Sequence, residues 1–148
     1  MRPNNPEWSL PDCLTRTFHG KPPSETELMA LLDLDDFFDF EPMLRGDMHD
    51  KVHCQIRGTM CSRESASAPE FFLHHAFVDK IWDDWQKKSP AHKYAYFPSV
   101  EENMPRTELR PAQLIDLSNQ PGGVSVEYEP YEPEEKIREK FAGKKPLM

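Results

Sequence analysis

The sequence predicts a mainly α-helical fold with proline-rich loops and a little β structure near the C-terminus. Three observations predict it. Residues from Pro69 to about Lys88 repeat apolar side chains at helical spacing. His49 and His53 stand four apart, one helical turn, in a segment bounded by Leu44 and Gly58. Period-two alternation is confined to Val124, Val126 and Tyr128, after a turn at Pro121-Gly122-Gly123.

In chain order, residues 1–23 are proline-rich and read as an extended lead-in. Residues 24–95 form a helical region. Its first helix starts at Ser24, where Ser24-Glu25-Thr26-Glu27 has the form of a capping box. Leu28, Met29, Leu31, Leu32 and Leu34 give that helix an apolar face. Asp35 to Met43 is acidic and aromatic, and Pro42 suits either the opening of a helix or its end. A second helix is expected from about Leu44 to Ile56.

The third and longest helix opens on Pro69, a favoured first-turn residue, and is stopped by Ser89-Pro90. It carries two stripes. Leu73, Phe77, Ile81 and Trp85 read as a core face. Phe72, His75, Asp79, Trp82 and Gln86 place an imidazole and a carboxylate between aromatics. Residues 96–148 are a loop-rich extension, expected to be mobile from about residue 130, with a frayed helix around Glu134 to Phe141.

Composition excludes several classes of function. There are 18 basic and 26 acidic residues, a formal charge of -8, and no basic stripe, so nucleic acid is not a partner. No run of about 18 apolar residues exists to span a membrane. The first residues lack the apolar stretch of a secretory signal, and the compartment stays undetermined. The cysteines, Cys13, Cys54 and Cys61, are odd in number. Cys54 can pair with Cys61, Cys13 can reach one of them, or each can be a free thiol.

Chemistry concentrates in the histidines. His49 and His53 present both rings on one helix face, within reach of one ion. A third ring has to come from another helix, and His75 is placed to supply it. Three imidazoles without thiolate or carboxylate suit copper or zinc. Asp79, one turn beyond His75, is positioned to hydrogen-bond a ligand ring and fix its tautomer. Histidine pairs four apart are common as surface or core features, so spacing alone does not decide between these readings.

The surrounding residues do. Ala68-Pro69-Glu70-Phe71-Phe72-Leu73-His74-His75-Ala76-Phe77-Val78-Asp79 resembles the second-copper signature of tyrosinases and molluscan haemocyanins. The upstream His49-Asp50-Lys51-Val52-His53, followed by Gly58-Thr59-Met60, resembles the preceding helix of that family. The likeness is close over residues 44–86. It implies half of a tyrosinase-type four-helix copper bundle, with His49, His53 and His75 as copper ligands. His74 would be a neighbour of the site and Asp79 a support for the ligand helix. Asp50 and Cys54 match positions that line the family's substrate entrance.

Three departures qualify the likeness. Ala68 replaces the signature's aspartate, which weakens a helix cap without removing a ligand. Asp50 stands where many tyrosinases have asparagine, which puts monophenol hydroxylation in question. The family's complete site is a copper pair with three histidines on each metal, and only His19 lies upstream of His49. The resemblance therefore implies one copper per chain, and an oxidase of o-diphenols or monophenols once a partner chain or a dimer supplies the other half. The isolated chain would be inactive. The alternative it implies is a non-catalytic copper binder or an oxygen carrier of the haemocyanin type. Secretion or a vesicular location follows from the resemblance if the N-terminus is truncated.

Overall fold

The computed structural model describes residues 13–97 and 101–130, and its described part is mainly helical. The first helix, α1, spans Glu25–Leu32. Its capping box is complete: the Ser24 hydroxyl accepts from the Glu27 amide at 3.2 Å, and the Glu27 carboxylate accepts from the Ser24 amide at 2.7 Å. At its far end the Lys88 ammonium donates to the carbonyls of Leu32, Asp33 and Leu34 at 3.0, 3.2 and 2.8 Å. A cation there offsets the negative end of the helix dipole.

The next helical run begins at Phe37, seven residues before the expected Leu44. It passes through α2 (Phe37–Met43), a wide-wound segment (Leu44–Asp50) and α3 (Lys51–Ile56). Asp36 caps it, its carboxylate accepting from the Phe38 amide at 2.7 Å. Pro42 neither opens nor ends a helix. It sits inside α2, where it removes one rung of the hydrogen-bond ladder and crowds the preceding turn. The chain then winds wider, and the Lys51 amide bonds five residues back to the Gly46 carbonyl.

The long helix, α4, spans Pro69–Gln86, with Pro69 in its first turn. Ala68 at the cap makes no side-chain bond, as its substitution for aspartate implies. A short α5 (Pro90–Lys93) follows. The core joins Leu31 of α1, Phe37, Phe40, Leu44 and Met48 of the second run, and Ile81 and Trp85 of α4. Trp85 centres it, stacked on Phe40 with centroids 4.4 Å apart and donating its indole N–H to the Leu34 carbonyl at 2.6 Å.

Two expectations are corrected. The stripe assigned to the core is buried only in its second half. Ile81 and Trp85 are fully buried, whereas Leu73 is 75% and Phe77 45% exposed. The first half of α4 turns its histidines toward the second run, so Leu73 and Phe77 are left facing out. The expected strand at Val124 to Tyr128 is also absent among the described residues. One antiparallel bridge, Gln120 to Val124, closes the Pro121-Gly122-Gly123 turn, and alternation without a partner strand builds no ladder. The expected Glu134–Phe141 helix lies outside the described residues.

Before the second run, residues 13–20 lie along its end. The Thr17 and His19 amides donate to the Ile56 and Gln55 carbonyls at 3.0 and 2.8 Å. Residues 101–130 pack beside the second half of α4 and, with it, frame a cleft of about 350 Å³ lined by Asp79, Trp82 and Tyr96 among others. None of the histidines lines this cleft.

Candidate metal centre

His49 is carried by the wide-wound segment, His53 by α3 and His75 by the first half of α4. Their rings converge. The Nε2 atoms of His49 and His75 are 3.3 Å apart, those of His53 and His75 3.2 Å, and all three ligating nitrogens lie within 4.8 Å of one another. Two nitrogens bound about 2.0–2.1 Å from one ion at a tetrahedral angle sit roughly 3.3–3.4 Å apart. This is the only cluster of three or more such groups among the described residues.

Two of the rings also have their outer nitrogens fixed. The His53 Nδ1–H donates to the Met60 carbonyl at 2.7 Å, and the His49 Nδ1–H donates to the Asp50 carboxylate at 2.8 Å. Each bond leaves the lone pair on Nε2, pointing into the cluster. Burial, followed by the nearby rings of His49 and His53, pushes the pKa of His75 below the ordinary histidine range. A neutral imidazole is the form that ligates a metal. The donor set, three imidazole nitrogens with no competing thiolate, fits copper.

His74 is beside the site and outside the ligand group. Its Nε2–H donates to the His49 backbone carbonyl at 3.2 Å, and its ring lies near-parallel to that of His49 at 5.4 Å. Burial pushes its pKa down to about 4, so the ring is neutral near pH 7. This contact ties α4 directly to the segment that carries His49.

The other predicted site residues are placed as follows. Asp79 is bonded elsewhere than to a histidine ring: its carboxylate accepts from the Tyr128 hydroxyl at 2.5 Å. Asp50 is bound to His49 yet has 59% of its side chain exposed. Cys54 is joined to Cys61 in a disulfide, which leaves Cys13 as an exposed free thiol.

Two contributors escaped the sequence reading. Phe71 stacks on His75 with centroids 3.9 Å apart and meets the edge of His53 at 5.9 Å. Its signal was available, since Phe71 precedes His75 by four residues on one helix. The Met60 carbonyl had no such signal, because a backbone acceptor leaves no mark in side-chain identity.

The family model for the common central domain of tyrosinase matches residues 1–88. A tyrosinase of Streptomyces glaucescens is 36% identical over 77 residues, covering 47% of this chain and 28% of that protein. Hemocyanin 2 of Megathura crenulata is 38% identical over 77 residues, covering 45% of this chain and 2% of that one. A tyrosinase-like protein of Diaporthe leptostromiformis is 31% identical over 94 residues, covering 55% and 24%. The chain matches less than a third of the length of each of these relatives.

Proposed function

Since the chain belongs to the tyrosinase family, we propose that His49, His53 and His75 hold one copper ion, as one of the two copper centres of a tyrosinase-like polyphenol oxidase. The observation that carries this reading is the convergence of the three rings, with the Nε2 atoms of His49 and His53 3.3 and 3.2 Å from that of His75 and the outer nitrogens of His49 and His53 already committed.

Copper, when bound, supplies one-electron exchange with dioxygen and phenolic substrate. The chain's own groups hold and orient. The Met60 carbonyl keeps the proton of His53 on Nδ1, and the Phe71 ring restrains His75 from rotating out of the cluster. Asp50 gives one carboxylate oxygen to His49, and its exposed side chain leaves the other free to accept from the hydroxyl of an incoming o-diphenol or monophenol.

The second copper centre needs three more imidazoles. His74 is committed to the His49 carbonyl, His92 lies 2.7 Å from the Ser89 hydroxyl, and His19 is exposed beside α3. The missing set therefore comes from another segment or another chain, and the exposed Phe72, one turn before His75, offers it an apolar seat. An oxygen-carrying role is the second reading, supported by the hemocyanin similarity.

Copper quantitation after exhaustive dialysis tests the proposal. One tightly held copper per chain is expected, lost in His53→Ala. Two per monomer, or none, overturns it. Catechol turnover on supply of a segment bearing three further histidines separates the oxidase from the carrier.

A further inference from the structure

We propose that the Cys54–Cys61 disulfide is a positioning element of the histidine centre, and that its thiol–disulfide state sets how tightly the centre holds a metal. The inference rests on reading His49, His53 and His75 as a metal site. Cys54 directly follows His53, and Cys61 directly follows Met60. The disulfide and the 2.7 Å bond from His53 Nδ1–H to the Met60 carbonyl therefore close the same loop, one residue apart.

That loop is not shaped by local preference. Arg57 and Gly58 are both left-handed, with φ of 57° and 54°. Left-handed backbone is unfavourable for arginine. A Cβ at Gly58 would lie 2.2 Å from the Thr15 carbonyl oxygen, so glycine is required there. Other anchors of the loop include the bond of 3.0 Å from the Thr59 amide to the Thr15 carbonyl, the bond of 3.1 Å from the Thr15 amide to the Thr59 hydroxyl, and the buried Met60 side chain. These keep the loop against the body of the protein. The bridge adds the constraint that keeps residue 60 facing residue 53.

Both cysteines are exposed, so a small thiol reaches the sulfurs. Reduction by a monothiol is balanced: two RSH give two electrons and two protons, the S–S bond becomes two protein thiols, and RSSR leaves. Once the loop relaxes, the His53 Nδ1–H loses its fixed acceptor. The ring then samples both tautomers and other rotamers, and Nε2 is no longer held toward His49 and His75. Losing an outer partner of a ligand histidine lowers metal affinity roughly 10–100-fold.

The test uses Zn(II), which does not exchange electrons with thiols, and a Cys13→Ser background to prevent scrambling. Cys54→Ser/Cys61→Ser is compared with the disulfide form. The expected result is a roughly 10–100-fold higher Kd for zinc, unchanged helical circular dichroism, and faster exchange of the His53 Nδ1 proton in the metal-free chain. Equal zinc affinity and equal proton exchange overturn the proposal alone. Absence of zinc binding in every form overturns the metal reading and the proposal with it. Should the serine variant not fold, the native cysteines suffice, equilibrated in a monothiol buffer with and without saturating zinc. Linkage requires zinc to make the disulfide harder to reduce by the same factor. No effect overturns the proposal, and easier reduction does so too, by showing the freed thiolates to be ligands.

Discussion

The ring of Phe71 lies against the imidazole of His75, with centroids 3.9 Å apart and planes 28° from parallel. One turn of α4 separates them, so each restrains the other's rotamer. Phe71→Ala should cost about 1–3 kcal/mol, less than a fully buried phenylalanine because the side chain is half-buried. It should also weaken zinc or copper binding, whereas Phe71→Leu should preserve more of both. Denaturant unfolding of the metal-free chain and metal titration separate the two effects. If Phe71→Ala loses stability while affinity stays unchanged, Phe71 is packing and not a restraint on the ligand.

His74 and His75 are adjacent, and the structure gives them opposite tasks. His75→Ala should abolish specific metal binding, since two imidazoles make an open site. His74→Ala removes a ring that donates to the His49 carbonyl at 3.2 Å, which should cost about 1–3 kcal/mol of stability. It should leave most metal affinity intact. Metal titration, with circular dichroism to confirm folding, decides the pair. Loss of metal from His74→Ala with retention in His75→Ala would reverse the assignment.

Much of this was legible because it is local. The capping box at Ser24, the helix opening at Pro69 and the one-turn spacing of His49 and His53 are short-range patterns with direct physical meaning. Bringing His75 to the same point took more, because periodicity says which face a residue occupies and not what lies opposite. That step came from the resemblance over residues 44–86. Three cysteines permit several pairings, and only the fold chooses Cys54 with Cys61. The wide winding after Pro42 and the exposure of Leu73 and Phe77 depend on how the second run meets α4. Asp79 is paired with a histidine ring by its spacing and given to the ligand helix by the resemblance, and neither points to Tyr128, 49 residues away.

That contact has a pH signature. Burial first, and then the hydrogen bond and charge of Asp79, raise the Tyr128 phenol above its ordinary value of 10.0. A group whose pKa rises on folding stabilises the fold while protonated. The contribution is complete below the unfolded value of about 10 and is lost as pH rises through the folded value. The native chain should therefore show one late-titrating tyrosine in ultraviolet difference spectra, absent in Tyr128→Phe and shifted downward in Asp79→Asn. Metal affinity should be nearly unchanged in Asp79→Asn. A fall of roughly 10–100-fold, the usual effect of losing a ligand's outer partner, would place Asp79 on a histidine ring after all.

The isolated chain, loaded with copper, should show no saturable oxidation of catechol. One three-histidine cluster is present among the described residues, and His19, His74 and His92 lie outside it. A single redox-active ion gives slow cycling that rises with catechol without a plateau, and such a background agrees with the expectation. One arrangement would create activity from this chain alone, two copies facing each other through the apolar surface around His75. Phe72, one turn before His75 on α4, is 65% exposed there, and a two-fold pairing would bring two clusters together. Turnover would then rise with the square of chain concentration at high dilution, and Phe72→Glu should abolish it while leaving one copper per chain. Rates measured across a dilution series, alongside sedimentation to fix the oligomeric state, distinguish the cases. Saturable turnover linear in concentration from a proven monomer would show that a second copper is held by groups other than these three histidines.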